Sequence, residues 1–421
     1  MTDPQVETKS RTTTLVFATL LTGVAAGIGG MLLALLLHAI QHAAFGYSPN
    51  AIISEESFLQ GVSAANAFRR IGVLIMCGGV AGLGWYLLYR FGKPLVSIAN
   101  AVKNPAMPMP FFATLCHALL QIVTVALGSP LGREVAPREV GAIGATWLSQ
   151  RFRLTQSETR IMVACGAGAG LAAVYNVPLG GAVFTLEVLL GAFSWPLLLP
   201  AVCTSAIAAL VAWAGLGNES QYHLPALSIT RDLIIWSVLC GPLFGVAANL
   251  FSRVMTRARK QAKRNWQMPV FCLLNFTLIG LLSVAFPELL GNGKGPAQIS
   301  FSNEMMLYLA LSLLILKLLI IWGSLRSGAE GGLLTPGLSN GALLACILGI
   351  AWNHFLPGTS LGAFAIIGAA AFLATSMKMP ITAVVLILEF TRVNHDFLIP
   401  ILFAVTGSVA TSALMNKRFG D

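Results

Sequence analysis

Residues 165–187 read CGAGAGLAAVYNVPLGGAVFTLE, and residues 367–389 read IGAAAFLATSMKMPITAVVLILE. The second stretch follows the first at a constant spacing of 202 residues, so that Gly166 matches Gly368, Pro178 matches Pro380 and Glu187 matches Glu389. Each is preceded by a glycine-rich break ending in proline, GSPLGREVAP at 128–137 and SGAEGGLLTP at 327–336. A helix broken at membrane depth exposes backbone groups that are tolerated only inside protein or along a site. Two related apolar halves, each interrupted at the same place, therefore point to a transporter-type site near the bilayer midplane.

Outward from these stretches the chain stays apolar. Of its 421 residues 56% are hydrophobic and only 10% charged, and the mean hydropathy is +0.78. A soluble domain carries about 25% charged residues, so bilayer burial is the simpler account. The 42 glycines agree with close helix packing in lipid. The expected fold is an all-α polytopic membrane protein of many short, tilted and broken helices. Residues 1–12 form a polar tail, and 13–421 form one transmembrane domain with repeats at about 70–217 and about 269–415.

The net charge of +10 reads as topology. Arg253, Arg257, Arg259, Lys260, Lys263 and Arg264 form one basic loop that the positive-inside rule places in the cytoplasm. Lys9 and Arg11, with Lys417 and Arg418, place both termini there too. No interleaved aromatics accompany these bases, so no nucleic-acid partner is expected. The seven cysteines form no CxxC pair and the six histidines no HExxH. Neither a metal nor a cofactor is expected. A membrane-embedded enzyme would need a nucleophile with its base, or metal ligands, at membrane depth; no catalytic residue is assigned.

Within the first break, Gly132-Arg133-Glu134 puts an acid between two hydrophobic stretches, where an ionisable group is expensive and usually functional. A helix starting here and running through Val140 to Trp147 turns its unpaired N–H groups and its partial positive charge toward the break, which makes an anion site. The Glu134 carboxylate fits that site as a tethered anion, released on protonation. An ion pair with Arg133, Arg138 or Arg160 is the structural alternative. In the second break Leu333 stands where Glu134 stands in the first, and the N–H groups from Leu333 through Leu334 to Thr335, with the Thr335 hydroxyl, offer a second set of donors. Glu187 and Glu389 are either proton relays or structural acids near helix ends. Lys317, inside an apolar run, is expected to snorkel or to pair with an acid, and Glu330 is expected to be solvated.

Gly132-Arg133-Glu134, the run GAGLAAVYNVPLGGAVFTLE and SGAEGGLLTP together resemble, in order, motifs of the CLC family of chloride channels and proton-coupled antiporters, over roughly residues 70–415. The resemblance implies a homodimer with one pathway per subunit, an inverted repeat, a gating and proton-coupling glutamate at Glu134, and a multi-pass location in a prokaryotic inner membrane. The chain departs from the family in four places. Val135-Ala136 replaces Gly-Pro after the glutamate. No serine stands in the Gly92-Lys93-Pro94-Leu95 region, Ser97 being off register. No tyrosine follows Tyr308, and Val188 stands where many antiporters have an inner proton-transfer glutamate. These departures resemble the fluoride-exporting branch, which exchanges fluoride for protons. A chloride/proton antiporter and a passive chloride channel of the same fold remain open at this point.

Overall fold

The computed structural model describes residues 4–48, 51–54 and 56–419. Among the described residues the chain forms 17 α-helices and no strand. Seven helices are long and apolar enough to cross a membrane: Thr12–Phe45, Ala67–Phe91, Trp195–Leu216, Arg231–Lys260, Leu307–Ser327, Leu334–Phe355 and His395–Arg418. Five more are apolar but short: Phe111–Ala126, Pro178–Leu190, Met268–Leu282, Leu361–Ser376 and Pro380–Thr391. This is the expected mixture of full spans and broken helices. The polar start belongs to the first helix, which begins at Pro4.

Large apolar side chains such as Phe17, Phe68, Phe112, Trp195 and Leu274 stand exposed. In water such a surface would drive aggregation; in a bilayer it is the lipid contact. Leu334–Phe355 is the exception among the spans, 72% buried where the others are 33–50% buried. The helix that follows the second break is thus the one most wrapped by protein.

The chain folds as two compact units and passes between them several times. The first holds the chain through Leu35, Phe91–Leu119 and Glu134–Glu219. Its core is built of small residues, among them Ala18, Ala142, Ala164, Cys165, Ala167, Ala182 and Ala201. Lipid gives helices no hydrophobic reason to associate, so close backbone approach and dispersion hold them together. The run Gly166-Ala167-Gly168-Ala169-Gly170 supplies that approach. A Cβ on Gly166 would strike the Gly141 carbonyl, one on Gly170 the Pro137 carbonyl, and one on Gly168 the Thr185 hydroxyl.

The second unit holds Leu36–Arg90, Leu120–Arg133 and the chain from Ser220 on. It is packed on the same rule. Gly241 lies against Ala404, Gly245 against Ser408, and Gly341 against Gly368 and Phe372. Aromatic contacts fill the space that remains: Trp236 tilts over Phe364 at 4.6 Å, and Tyr222 meets Phe301 edge-on at 5.0 Å.

The repeat is visible in backbone angles. Asn176 and Lys378 end their helices in the left-handed region at φ 54° and 56°. Val177 (φ −129°, ψ 69°) and Met379 (φ −141°, ψ 66°) follow, and Pro178 and Pro380 then open the next helices. The correspondence ends just before the matched glutamates. The first copy passes into a π-helical turn, Thr185–Leu190, and stops at Gly191 (φ 66°), whereas the second continues as α-helix to Thr391 and stops at Arg392 (φ 48°). Gly191 is four residues past Glu187, and Arg392 is three past Glu389. A π turn takes up one additional residue, which accounts for the difference.

Candidate functional site

The two breaks meet. The Gly132 N–H donates to the Gly332 carbonyl and the Gly332 N–H to the Gly132 carbonyl, both at 2.8 Å, a single antiparallel pair within the second unit. The neighbouring Gly331 is required sterically: a Cβ there would lie 2.6 Å from the Leu131 Cβ and 3.1 Å from the Gly132 carbonyl oxygen. Beyond the pair each segment enters a helix. Glu134 is the N-cap of Val135–Arg151, and Leu333 is the N-cap of Leu334–Phe355. The expected match between Glu134 and Leu333 therefore holds at the level of helix position. The third residue of each helix is a proline, Pro137 and Pro336. Proline is tolerated in a first turn, where its missing N–H has no partner within the helix.

Glu134 is fully buried and Arg133 is 8% exposed. The helix beginning at Val135 turns its positive end toward Glu134, which favours a carboxylate there. Arg138, one turn on, sends its Nε to the Glu134 carbonyl at 2.9 Å, and its guanidinium lies over the Phe184 ring at 5.0 Å. Arg160 instead reaches the Leu190 carbonyl at 3.3 Å. Thr335 and Leu334 are buried in the first turn of their helix, where the N–H groups point out of the helix end.

The second break is tied to the basic cluster, which is not the expected loop: Arg253, Arg257, Arg259 and Lys260 lie in the last turns of Arg231–Lys260, and only Lys263 and Arg264 follow it. Arg259 donates to the Gly331 carbonyl at 2.6 Å. Glu330 pairs with Arg264 at 3.1 Å and with Arg259 at 3.7 Å, and it accepts the Tyr89 hydroxyl at 3.1 Å. The expectation that Glu330 is simply solvated is thus corrected: its carboxylate is 11% exposed and held by two arginines. Lys317 neither snorkels nor meets an acid. It is fully buried, and its ammonium donates to the Leu289 and Gly291 carbonyls at 3.1 and 2.9 Å. Glu187 lies half-buried inside the π turn, Val188 beside it is exposed, and Glu389 is half-buried near the end of its helix. Ser97 caps the short helix Ile98–Lys103, its hydroxyl accepting the Asn100 N–H at 3.2 Å.

Four polar residues escaped the sequence reading. Ser339 and Asn340, on Leu334–Phe355, are fully buried, and the Ser339 hydroxyl and both amide atoms of Asn340 have no protein partner among the described residues. Such groups cost free energy unless something satisfies them. His117 and Glu139, each 8% exposed, form a buried pair with His117 Nδ1 3.0 and 2.9 Å from the two carboxylate oxygens. A polar letter five to seven residues past the N-cap was the only signal for three of them. His117 had none.

A family model described as voltage gated chloride channel matches residues 72–413. The chain belongs to that family. Among its CLC relatives, the voltage-gated ClC-type chloride channel ClcB of Citrobacter koseri is 31% identical over 288 residues, 66% of this chain and 68% of that protein. The H(+)/Cl(-) exchange transporter ClcA of Vibrio campbellii is 26% identical over 377 residues, 83% and 78% of the two chains. Among solved structures, a slow cyanobacterial Cl-/H+ antiporter superposes with TM-score 0.80 at 19% identity, covering 94% of this chain and 95% of its own. A CLC-type fluoride/proton antiporter superposes with TM-score 0.67 at 21% identity, covering 95% of each. At these identities the likeness is one of fold. The chain is a multi-pass membrane protein with a CLC fold.

Proposed function

We propose that this chain exchanges a small inorganic anion for protons across a bacterial inner membrane, with fluoride as the anion. The observation that carries the reading is the reciprocal Gly132–Gly332 pair, from which the chain runs on into the N-caps Glu134 and Leu333. The anion is held by the N–H groups that open Leu334–Phe355, from Leu333 through Leu334 to Thr335, with Gly132 and Arg133 across the pair. Glu134, next along the chain, is the tethered carboxylate that replaces the anion when ionised and leaves when protonated. The chain acts as a transporter rather than an enzyme, as a homodimer with both termini in the cytoplasm.

Fluoride is supported by chemistry. A small, strongly hydrated anion is bound only where hydrogen-bond donors replace its water, since desolvation without compensation is prohibitive. Asn340 and Ser339 are buried on the same helix with donors that no protein group takes up. The serine and tyrosine that the family offers to chloride have no counterparts in register. A second reading, chloride/proton exchange, is favoured by the names of the relatives, which exchange or conduct chloride.

The test is efflux from liposomes loaded with fluoride or chloride, with proton uptake followed in parallel. Fluoride efflux well above chloride, driving protons the opposite way, is the expected result. Chloride efflux equal to fluoride would replace the first reading by the second, and anion efflux without protons would make the protein a channel. Glu134→Gln is expected to cut proton-coupled flux about a hundredfold, the low end of what a positioned proton-transfer group contributes, while leaving the protein folded.

A further inference from the structure

His117 and Glu139 lie together inside the first unit, His117 on Phe111–Ala126 and Glu139 on Val135–Arg151. Burying an acid and an imidazole at membrane depth is costly, and apolar packing would meet a purely structural need more cheaply. Histidine is the side chain whose ordinary pKa lies near neutral, and a carboxylate bound to its ring shares its proton as a coupled pair. The pair is thus a buried acid and base within hydrogen-bond distance of each other.

Its place along the helix gives that proton a direction. Glu139 is five residues past Glu134, a rise of about 7.5 Å and a turn of about 140°. It lies on the way to the helix end at Arg151. Just beyond that end, Phe152 lines one depression with Thr13, Thr14 and Phe17 from the start of the first helix. This is the side that the charge pattern assigns to the cytoplasm. Val188, the position where the family resemblance looks for an inner acid, is apolar and 38% exposed. Between the two acids stands Arg138, whose guanidinium is in electrostatic reach of Glu134, Glu139 and Tyr175.

We propose that His117 and Glu139 relay protons between the cytoplasmic side and Glu134. The proposal rests on the proton-coupled reading above. A proton taken up by His117 sits as an imidazolium beside the Glu139 carboxylate. It crosses to a carboxylate oxygen as the N–H bond breaks and the O–H bond forms, leaving a neutral imidazole and a neutral acid. Because the two acids leave the helix on different sides, the next transfer runs through water, which releases one proton to Glu134 as it takes one from Glu139.

The experiment measures proton and anion flux together in liposomes for wild type, Glu139→Gln and His117→Gln, across a series of pH values on the cytoplasmic side. Each glutamine keeps a hydrogen bond to the remaining partner, and Glu139→Asp serves as the conservative rescue. The expected result is that the ratio of proton to anion flux falls about a hundredfold in both glutamine variants. The wild-type dependence on internal pH disappears with it, and the aspartate restores both. A ratio and pH profile like wild type in both variants overturns the relay alone. Wild type that moves anions without protons overturns the antiport reading and the relay together.

Discussion

Lys317 shows how much a single residue can do away from any site. Its ammonium is fully buried and bonded to the carbonyls of Leu289 and Gly291, and Gly291 in turn donates to the Gly128 carbonyl at 3.0 Å. A cation on a helix through the bilayer thus pins the segment that leads into Lys294–Phe301 to the start of the first break. Lys317→Met is expected to cost about 1–3 kcal/mol through the unsatisfied carbonyls, read as a lower unfolding temperature in detergent and faster amide exchange at Gly291 to Lys294. An unchanged exchange rate would show that the segment is held some other way. The sequence exposed Lys317 as an oddity but named the wrong partner, because backbone carbonyls leave no letter in a sequence. Glu134 was legible because an acid flanked by glycines in an apolar run has few structural uses. Ser339, Asn340 and His117 were not, since a lone polar residue in a long helix looks the same whether it lines a site or meets a neighbour.

The elements repeat more faithfully than their sequences do. Asn176 and Lys378 share a backbone angle that the letters Asn and Lys do not announce, and the prolines two residues on give the correspondence away. The helix starts at Glu134 and Leu333 were legible from glycine and proline spacing alone. The π turn at Thr185–Leu190 was not, because one additional residue after a gapless match leaves no gap to see. Such turns cluster at functional places, and this one holds Glu187. Deleting Leu189 is expected to convert the turn to regular α-helix like that of Pro380–Thr391 and to rotate the residues beyond it by about 100°. If Glu187 serves transport, flux drops while the protein still folds. Unaltered flux, with folding verified by thermal melting, would assign the turn to packing alone.

Over the whole molecule, composition decided the solvent and the order of the motifs decided the fold. What neither revealed was where the charges gather. Lys294 opens its helix with an exposed side chain. Loss of hydration and then the nearby Arg133 bring its pKa from 10.5 down to about 8. The ammonium is charged below that value and neutral above it. On the proposed anion route, the positive field beside Arg133 weakens as pH rises through about 8. Anion uptake is expected to fall about two- to tenfold across that step, and Lys294→Met is expected to remove the step while leaving uptake at its high-pH level. A profile that keeps its step in the variant would assign the titration to another group.

The glycines at 141, 166 and 170 also set a clock. They press the backbone of the Glu134 helix against that of Gln156–Tyr175, carbonyl to Cα, with no side chain between to yield. A helix clamped in this way does not slide, so the slow, microsecond-to-millisecond register shifts open to loosely packed helices are closed to it. Movement of Glu134 then comes down to rotation about its own side-chain bonds, with the carboxylate fully buried.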